Sequence, residues 1–361
     1  MTAYRCIECK AEYPGFGLPI ICPGCGGSFN LTDLTYCQPD DRQEGIWRYQ
    51  AAFGLPEIQR PIYLGEGSTA LVPSKFDGKQ VFLKCEHLNP SGTFKDRGTA
   101  ILASLLRSRQ ITEVVEDSSG NAGASLALYS APAGLKSTVY VPASTSGPKL
   151  NQIKAIGVGV VPVEGPREAA HQAVEQAVHT GGKAYASHAY LPFHMTGYAT
   201  ILFEVFEQLG IMPGTVVAPI GHGSLFLGLV LAGESLQIAG LGKRPKFIGV
   251  QPANCAPVVT AWRGEKFEGT QGTSIAEGTQ VSRPVRGKEI LDHLIQGEDQ
   301  LLEISEKEII EAHQQLVSHG FYVEPTSAMV MAGVKGKLED LPAPIVFVLT
   351  GSGLKFNQSI Y

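Results

Sequence analysis

No stretch of this 361-residue chain approaches the length of apolar sequence that a membrane span needs, and the polar start from Met1 to Cys6 leaves no room for a leader. The expectation is a cytoplasmic protein with no membrane contact. Runs of Lys or Arg are equally absent and the net charge is −5, so no basic face is on offer to nucleic acid. Low-complexity linkers and internal repeats are missing as well. Charged residues make up 17% of the chain against 43% hydrophobic ones, the balance of a chain that buries large cores in more than one domain.

Cysteine is scarce and unevenly placed. Cys6-x-x-Cys9 and Cys22-Pro-Gly-Cys25 are paired knuckles twelve residues apart, with Gly24, Gly26 and Gly27 permitting the tight turns that aim both sulfurs of a knuckle at one ion. A four-cysteine zinc ribbon is the expectation, with disulfides or an empty ribbon as alternatives. Four thiolates would fill the coordination sphere of zinc, making it structural. Cys37, Cys85 and Cys255 lack knuckle spacing and read as small buried hydrophobes.

Past the ribbon, β-rich runs alternate with amphipathic ones, which predicts an α/β fold of parallel sheets covered by helices. Strands are expected at 80–84, 113–116, 137–141, 159–163, 216–220, 246–251 and 345–349. Helices are expected at 99–109, 122–131, 148–156, 166–178, 197–209 and 307–319.

Three turns rich in Gly and Ser precede helices. The first, HLNPSGTFKDRG at 87–98, places Lys95 where the backbone is shaped by Pro90, Gly92 and two small hydroxyl residues, as a covalent anchor requires. The second is SSGNAG at 118–123. The third, Gly221-His222-Gly223-Ser224-Leu225, follows an apolar run and opens a helix, the strand, turn and helix order of a phosphate cradle. Helix N-termini offer unpaired N–H groups to anions. A lysine, a carboxylate-sized anion site and a phosphate site together point to pyridoxal phosphate and an amino-acid substrate.

These motifs resemble those of threonine synthases and their relatives among fold-type II (tryptophan synthase β-like) pyridoxal phosphate enzymes. The resemblance runs through GEGST at 65–69, the lysine segment, SSGNAG, VPASTSGPKLNQIKAIGVGVVPVEG at 141–165, IAEGTQVSRPVRG at 275–287, EPTSA at 324–328 and TGSGLK at 350–355. It implies two three-layer parallel-sheet domains behind the ribbon: 1–45 as the ribbon segment, 46–95 with 192–361 as the large cofactor domain, and 96–191 as the small domain. It also implies a homodimer.

The resemblance assigns Lys95 as cofactor link and base, Asn121 as a contact to the pyridoxal ring oxygen, and Gly221, His222, Gly223, Ser224 and Leu225 as phosphate loop. Thr350 would face the pyridine nitrogen, with Ser352 as fallback. Ser118, Ser119, Asn121 and Ala122 would take the substrate carboxylate. Glu277 and Glu324 read as structural.

One departure stands out. Threonine synthases carry an arginine for the substrate phosphate in the segment that here reads ASHAYLPFHMTGYAT, 186–200, and no arginine is present. Loss of such a clamp removes roughly 1.5–3 kcal/mol. His188, Tyr190 and His194 are the replacements on offer, with packing as their other reading, and Lys149, Lys154 and Arg167 are cations on other elements. The implied activity is a threonine synthase-type lyase, converting O-phosphohomoserine to threonine and phosphate. A β-elimination or β-replacement enzyme (serine/threonine dehydratase, diaminopropionate ammonia-lyase, cysteine or cysteate synthase-like) and a non-catalytic cofactor-binding protein are the alternatives.

Overall fold

The computed structural model describes residues 1–165, 167–267 and 272–356. The chain forms two compact units, Met1–Gly67 with Lys95–Gly197, and Ser68–Phe94 with Tyr198–Tyr361.

In the first unit a parallel four-stranded sheet runs Gly159–Val163, Lys136–Pro142, Glu113–Glu116, Ala184–Tyr185 from edge to edge. The helix Asn121–Ala133 packs on it through its small residues, Ala124 and Ala127 meeting Val139, Val141, Leu150 and Ile153 in a dry core. Gly134 ends that helix in the left-handed region (φ 69°), and the Leu135 N–H bonds back to the Ser130 carbonyl at 2.9 Å. The helices Pro148–Ile156 and Arg167–Gly181 follow. The expected start of the latter at Pro166 lies outside the described residues, as does the Arg167 side chain. The segment 46–67 belongs to this unit and has little regular structure beyond a 3₁₀ run, Gly45–Ala52. It is fixed by Glu66, whose carboxylate accepts from Trp47 Nε1 at 3.1 Å, Tyr129 OH at 2.6 Å and the Leu64 N–H at 3.0 Å.

The second unit holds a six-stranded sheet ordered Gln300–Ile304, Lys246–Pro252, Thr215–Pro219, Ile345–Val348, Lys79–Lys84, Leu71–Phe76. All pairs are parallel except the last, a hairpin turned by Asp77 (φ 46°) and Gly78 (φ 81°). This antiparallel edge is a departure from the all-parallel expectation. Val217, Ile248, Val250, Ile304 and Phe347 face a core completed by Met329 and Leu316. The helix Glu306–Ser318 begins with a capping box, Ser305 and Glu308 bonding reciprocally. Buried Lys84 donates to Glu204 at 2.7 Å, to the Thr69 carbonyl at 2.9 Å and to Gln208 at 3.0 Å. Among the described residues no helix is long and apolar enough to cross a membrane.

Candidate active site

Lys95 is the first residue of the helix Lys95–Ser108. The turn before it is tied down by the segment after the strand Ile345–Val348. The Phe94 N–H donates to the Thr350 carbonyl at 3.0 Å, the Ser352 N–H to the Gly92 carbonyl at 2.9 Å, and Lys355 Nζ to the Ser91 carbonyl at 2.9 Å. Behind the lysine, Asp96 is fully buried and accepts from Ser125 Oγ at 2.6 Å. Gly98 is required by close approach, since a Cβ there would fall 2.7 Å from His194 Nδ1. His194 is buried at 2% exposure against this helix.

The SSGNAG turn leaves the strand Glu113–Glu116 and opens the helix Asn121–Ala133, as expected. Ser118 and Ala122 are buried, Ser119 and Asn121 half-buried. Gly123 lets the helix close on the turn, because a Cβ would meet the Ser118 carbonyl at 1.8 Å. Two residues that sequence reasoning passed over sit immediately before it. Glu116 is 1% exposed, and its Oε1 lies 2.7 Å from His188 Nδ1. Asp117 accepts from Tyr185 OH at 2.8 Å and faces His171 Nδ1 at 3.2 Å. Burial, and after it the neighbouring Asp117 carboxylate, hold the Glu116 carboxyl well above the usual carboxylate range, with the Lys95 charge opposing. Two acids ending a parallel strand, where such sheets bind ligands, were the signal available in the sequence. Tyr190 stacks on His171 with ring centroids 6.1 Å apart.

In the second unit the strand Thr215–Pro219 leads through Gly221-His222-Gly223 into the helix Ser224–Ile238. Gly223 has φ 99°, and a Cβ on it would lie 2.7 Å from Ile290 and 2.9 Å from Arg286. The Ser224 hydroxyl is buried without a hydrogen-bond partner at the helix start, beside N–H groups that have no intrahelical acceptor. Arg286, fully buried, donates its N–H to the His222 carbonyl at 2.9 Å and pairs with Glu289 at 3.4 Å. Burial lowers its pKa, opposed by Glu289. Just past the adjacent strand Ile345–Val348, Thr350 is 1% exposed, with its hydroxyl 3.0 Å from that of Ser327. Both positions follow the carboxyl ends of neighbouring parallel strands. Arg286 and Ser327 lie in quoted motifs, IAEGTQVSRPVRG and EPTSA, yet nothing local in the sequence marked them as neighbours of the loop and of Thr350.

The profile of the family described as "Pyridoxal-phosphate dependent enzyme" matches residues 62–351. The chain belongs to that family. An orphaned, buried serine hydroxyl on a helix N-terminus with a glycine that admits no side chain fits a phosphate monoester, so the second unit suits this family's cofactor. Among curated relatives, the threonine synthase of Methanocaldococcus jannaschii is 29% identical, over 97% of this chain and 92% of its own. That of Methanosarcina acetivorans is 27% identical, over 100% and 94%. Of solved structures, a T.th. threonine deaminase aligns with a TM-score of 0.69 at 24% identity, covering 80% of this chain and 94% of its own. Maize serine racemase aligns with a TM-score of 0.69 at 20% identity, covering 81% and 90%. These two share the fold of this pyridoxal phosphate enzyme, an α/β fold of parallel sheets.

The four knuckle cysteines gather at one point. Their sulfurs are mutually within 4.8 Å, with Cys6 and Cys25 3.4 Å apart and Cys9 and Cys22 3.7 Å apart. A tetrahedral shell with 2.3 Å bonds spaces its sulfurs by about 3.8 Å, whereas a disulfide needs about 2.05 Å. Each knuckle closes on a left-handed residue, Lys10 (φ 63°) and Gly26 (φ 76°), whose N–H returns to Cys6 or Cys22. Cys85 and Cys255 are buried as expected, but Cys37 is half-buried with Sγ 3.9 Å from the Thr35 carbonyl.

Proposed function

We propose that the chain is a lyase of threonine synthase type, converting O-phosphohomoserine and water to threonine and phosphate. The observation that carries this reading is the likeness to threonine synthases across nearly the whole length of both chains. Pyridoxal phosphate supplies an electron sink for the amino acid's α-carbon. Lys95 is the attachment residue, and its amine then takes and returns the proton at Cα. Gly221, His222, Gly223, Ser224 and Leu225 hold the cofactor phosphate through helix N–H groups and the Ser224 hydroxyl. Asn121 bonds the ring oxygen. Thr350, whose hydroxyl lies 3.0 Å from that of Ser327, would offer the ring nitrogen of the cofactor a neutral partner rather than a carboxylate, chemistry that favours elimination over transamination. The Ser118, Ser119, Asn121 and Ala122 turn orients the substrate carboxylate, and His188 meets the substrate's far end.

Cys6, Cys9, Cys22 and Cys25 hold structural zinc, which their tetrahedral spacing supports. The lack of any disulfide among the described cysteines supports a reducing compartment, the cytoplasm. The assembly is a homodimer, as the family resemblance implies.

A second reading is favoured by Glu116 and Asp117, acidic side chains immediately before the carboxylate turn that offer a phosphate dianion no positive charge. On that reading the enzyme eliminates from a substrate with a neutral or cationic β-substituent. The deciding experiment titrates the holoenzyme with O-phosphohomoserine, following the visible band while assaying phosphate and threonine. Both products, lost in Lys95→Ala together with the band, establish the first reading. An unresponsive band with no phosphate, and ketoacid plus ammonia from 2,3-diaminopropionate, establishes the second.

A further inference from the structure

Glu116, Asp117 and His188 each offer one ligand atom within 4.8 Å of the others, on side chains exposed by only 1%, 12% and 11%. A shell with bonds of about 2.1 Å separates its ligands by about 3.0–4.2 Å, so sub-ångström movements would close this group on an ion. The elements fix it from both sides. Glu116 and Asp117 end the strand Glu113–Glu116, and His188 follows the neighbouring strand Ala184–Tyr185, joined to it where the Ala186 N–H meets the Val115 carbonyl at 2.9 Å.

A second observation points to a ligand. Glu116 Oε2 is buried with no hydrogen-bond partner, although a carboxylate oxygen removed from water without a donor is strongly disfavoured. A cation satisfies it where no protein donor does. Around it lies the outer shell that ordinarily orients metal ligands: Tyr185 OH donates to Asp117 Oδ1 at 2.8 Å, and His171 Nδ1 lies 3.2 Å from Oδ2. The remaining exposure is on Asp117 and His188, the side from which an ion and an anion can enter.

We propose that Glu116, Asp117 and His188 form a divalent-cation site of two carboxylates and one imidazole, and that the ion holds the anionic leaving group in place of the arginine missing from 186–200. The charge sum favours this. The empty acidic pair gives a phosphate nothing to bind, whereas a divalent ion held by two carboxylates and one neutral imidazole makes a neutral site that keeps open coordination positions for phosphate oxygens. The leaving-group role rests on the threonine synthase-type reading; the ion site does not. Oxygen and imidazole ligands take manganese or zinc, while the thiolate ribbon selects zinc, so Mn²⁺ reports on this site alone.

The test is a titration of chelator-treated holoenzyme with Mn²⁺, free ion being read by electron paramagnetic resonance. One Mn²⁺ per chain is expected, with affinity lowered at least about tenfold in Glu116→Gln and in His188→Ala, variants whose folding is checked by circular dichroism. Substoichiometric binding, or binding unchanged in both variants, overturns the site. Inorganic phosphate is then titrated with and without Mn²⁺. Tighter phosphate binding only with the ion supports the leaving-group role, and equal binding overturns that role while the site stands. Mn²⁺ bound normally by an enzyme that leaves O-phosphohomoserine intact sinks the substrate reading, not the site.

Discussion

The two units offer contrasting examples of buried charge. In the second, three buried cations come with countercharges, Lys84 with Glu204 at 2.7 Å, Arg244 with Asp299 at 2.9 Å and Arg286 with Glu289 at 3.4 Å, although Glu86 there accepts from Thr69 at 2.6 Å and Asn89 at 2.9 Å. In the first, Glu66 and Glu116 are the instructive acids. Glu66 rests on Trp47, Tyr129 and a backbone N–H, and burial pushes its carboxyl up to about 7. Glu116 rests on His188. The second unit therefore spends its charges on holding itself and an anion-ready turn together, while the first keeps acids whose state responds to pH and to ligands.

The largest effect that breaks this contrast is removal of one member of a buried pair. Lys84→Ala should destabilise the second unit by about 3–5 kcal/mol, since the buried Glu204 carboxylate loses its countercharge at 2.7 Å. Lys84→Met combined with Glu204→Leu should recover most of the loss, because the pair's net contribution is small once desolvation is counted. Urea midpoints of the three proteins measure both. A double variant as unstable as the single would mean that the pair does more than neutralise itself.

Glu66 sharpens the comparison from the other side. Its folded pKa lies above the unfolded value, so its contribution is fully present below about 4.5 and is lost as pH rises through about 7. About 3 kcal/mol of pH-dependent stability follows from a shift of this size. Thermal midpoints should fall from pH 4.5 to 7 and then level, with a shallower fall in Glu66→Gln, although that variant also loses an acceptor for its three donors. Equal slopes in the two proteins would remove Glu66 as the titrating group.

Local pattern made the longer helices, most strands and the three glycine turns legible, but not the short helices Pro257–Trp262, Gly287–His293 and Pro325–Ala332. Lys95, the turn at 118–123 and the loop at 221–225 each fall where the sequence placed them, between a strand or tight turn and a helix. What escaped was set by distance along the chain. Glu66 meets Tyr129 63 positions away and Lys84 meets Glu204 120 positions away, contacts that no periodicity encodes. The 46–67 segment has little periodic structure, so nothing local tied it to the first unit. The Asp77-Gly78 hairpin is a different case. Its turn signal was present, but Pro73 interrupts the strand Leu71–Phe76, which as an edge strand tolerates a proline.

The smallest expected effects compare the two anion-ready turns through their glycines. Gly223 has φ 99°, and its Cβ would strike Ile290 and Arg286, so Gly223→Ala should cost about 1–3 kcal/mol and weaken cofactor binding, read as a shallower spectral titration with pyridoxal phosphate. Gly120, at φ −95°, has only Ser118 Oγ near a Cβ, at 3.7 Å, so a methyl group has room there. Gly120→Ala should change stability by less than about 0.5 kcal/mol. If Gly120→Ala instead matched Gly223→Ala in cofactor loss, the first turn would need its bare backbone for a ligand as much as the second does. The space that Gly120 leaves open would then be occupied by substrate or cofactor rather than by solvent.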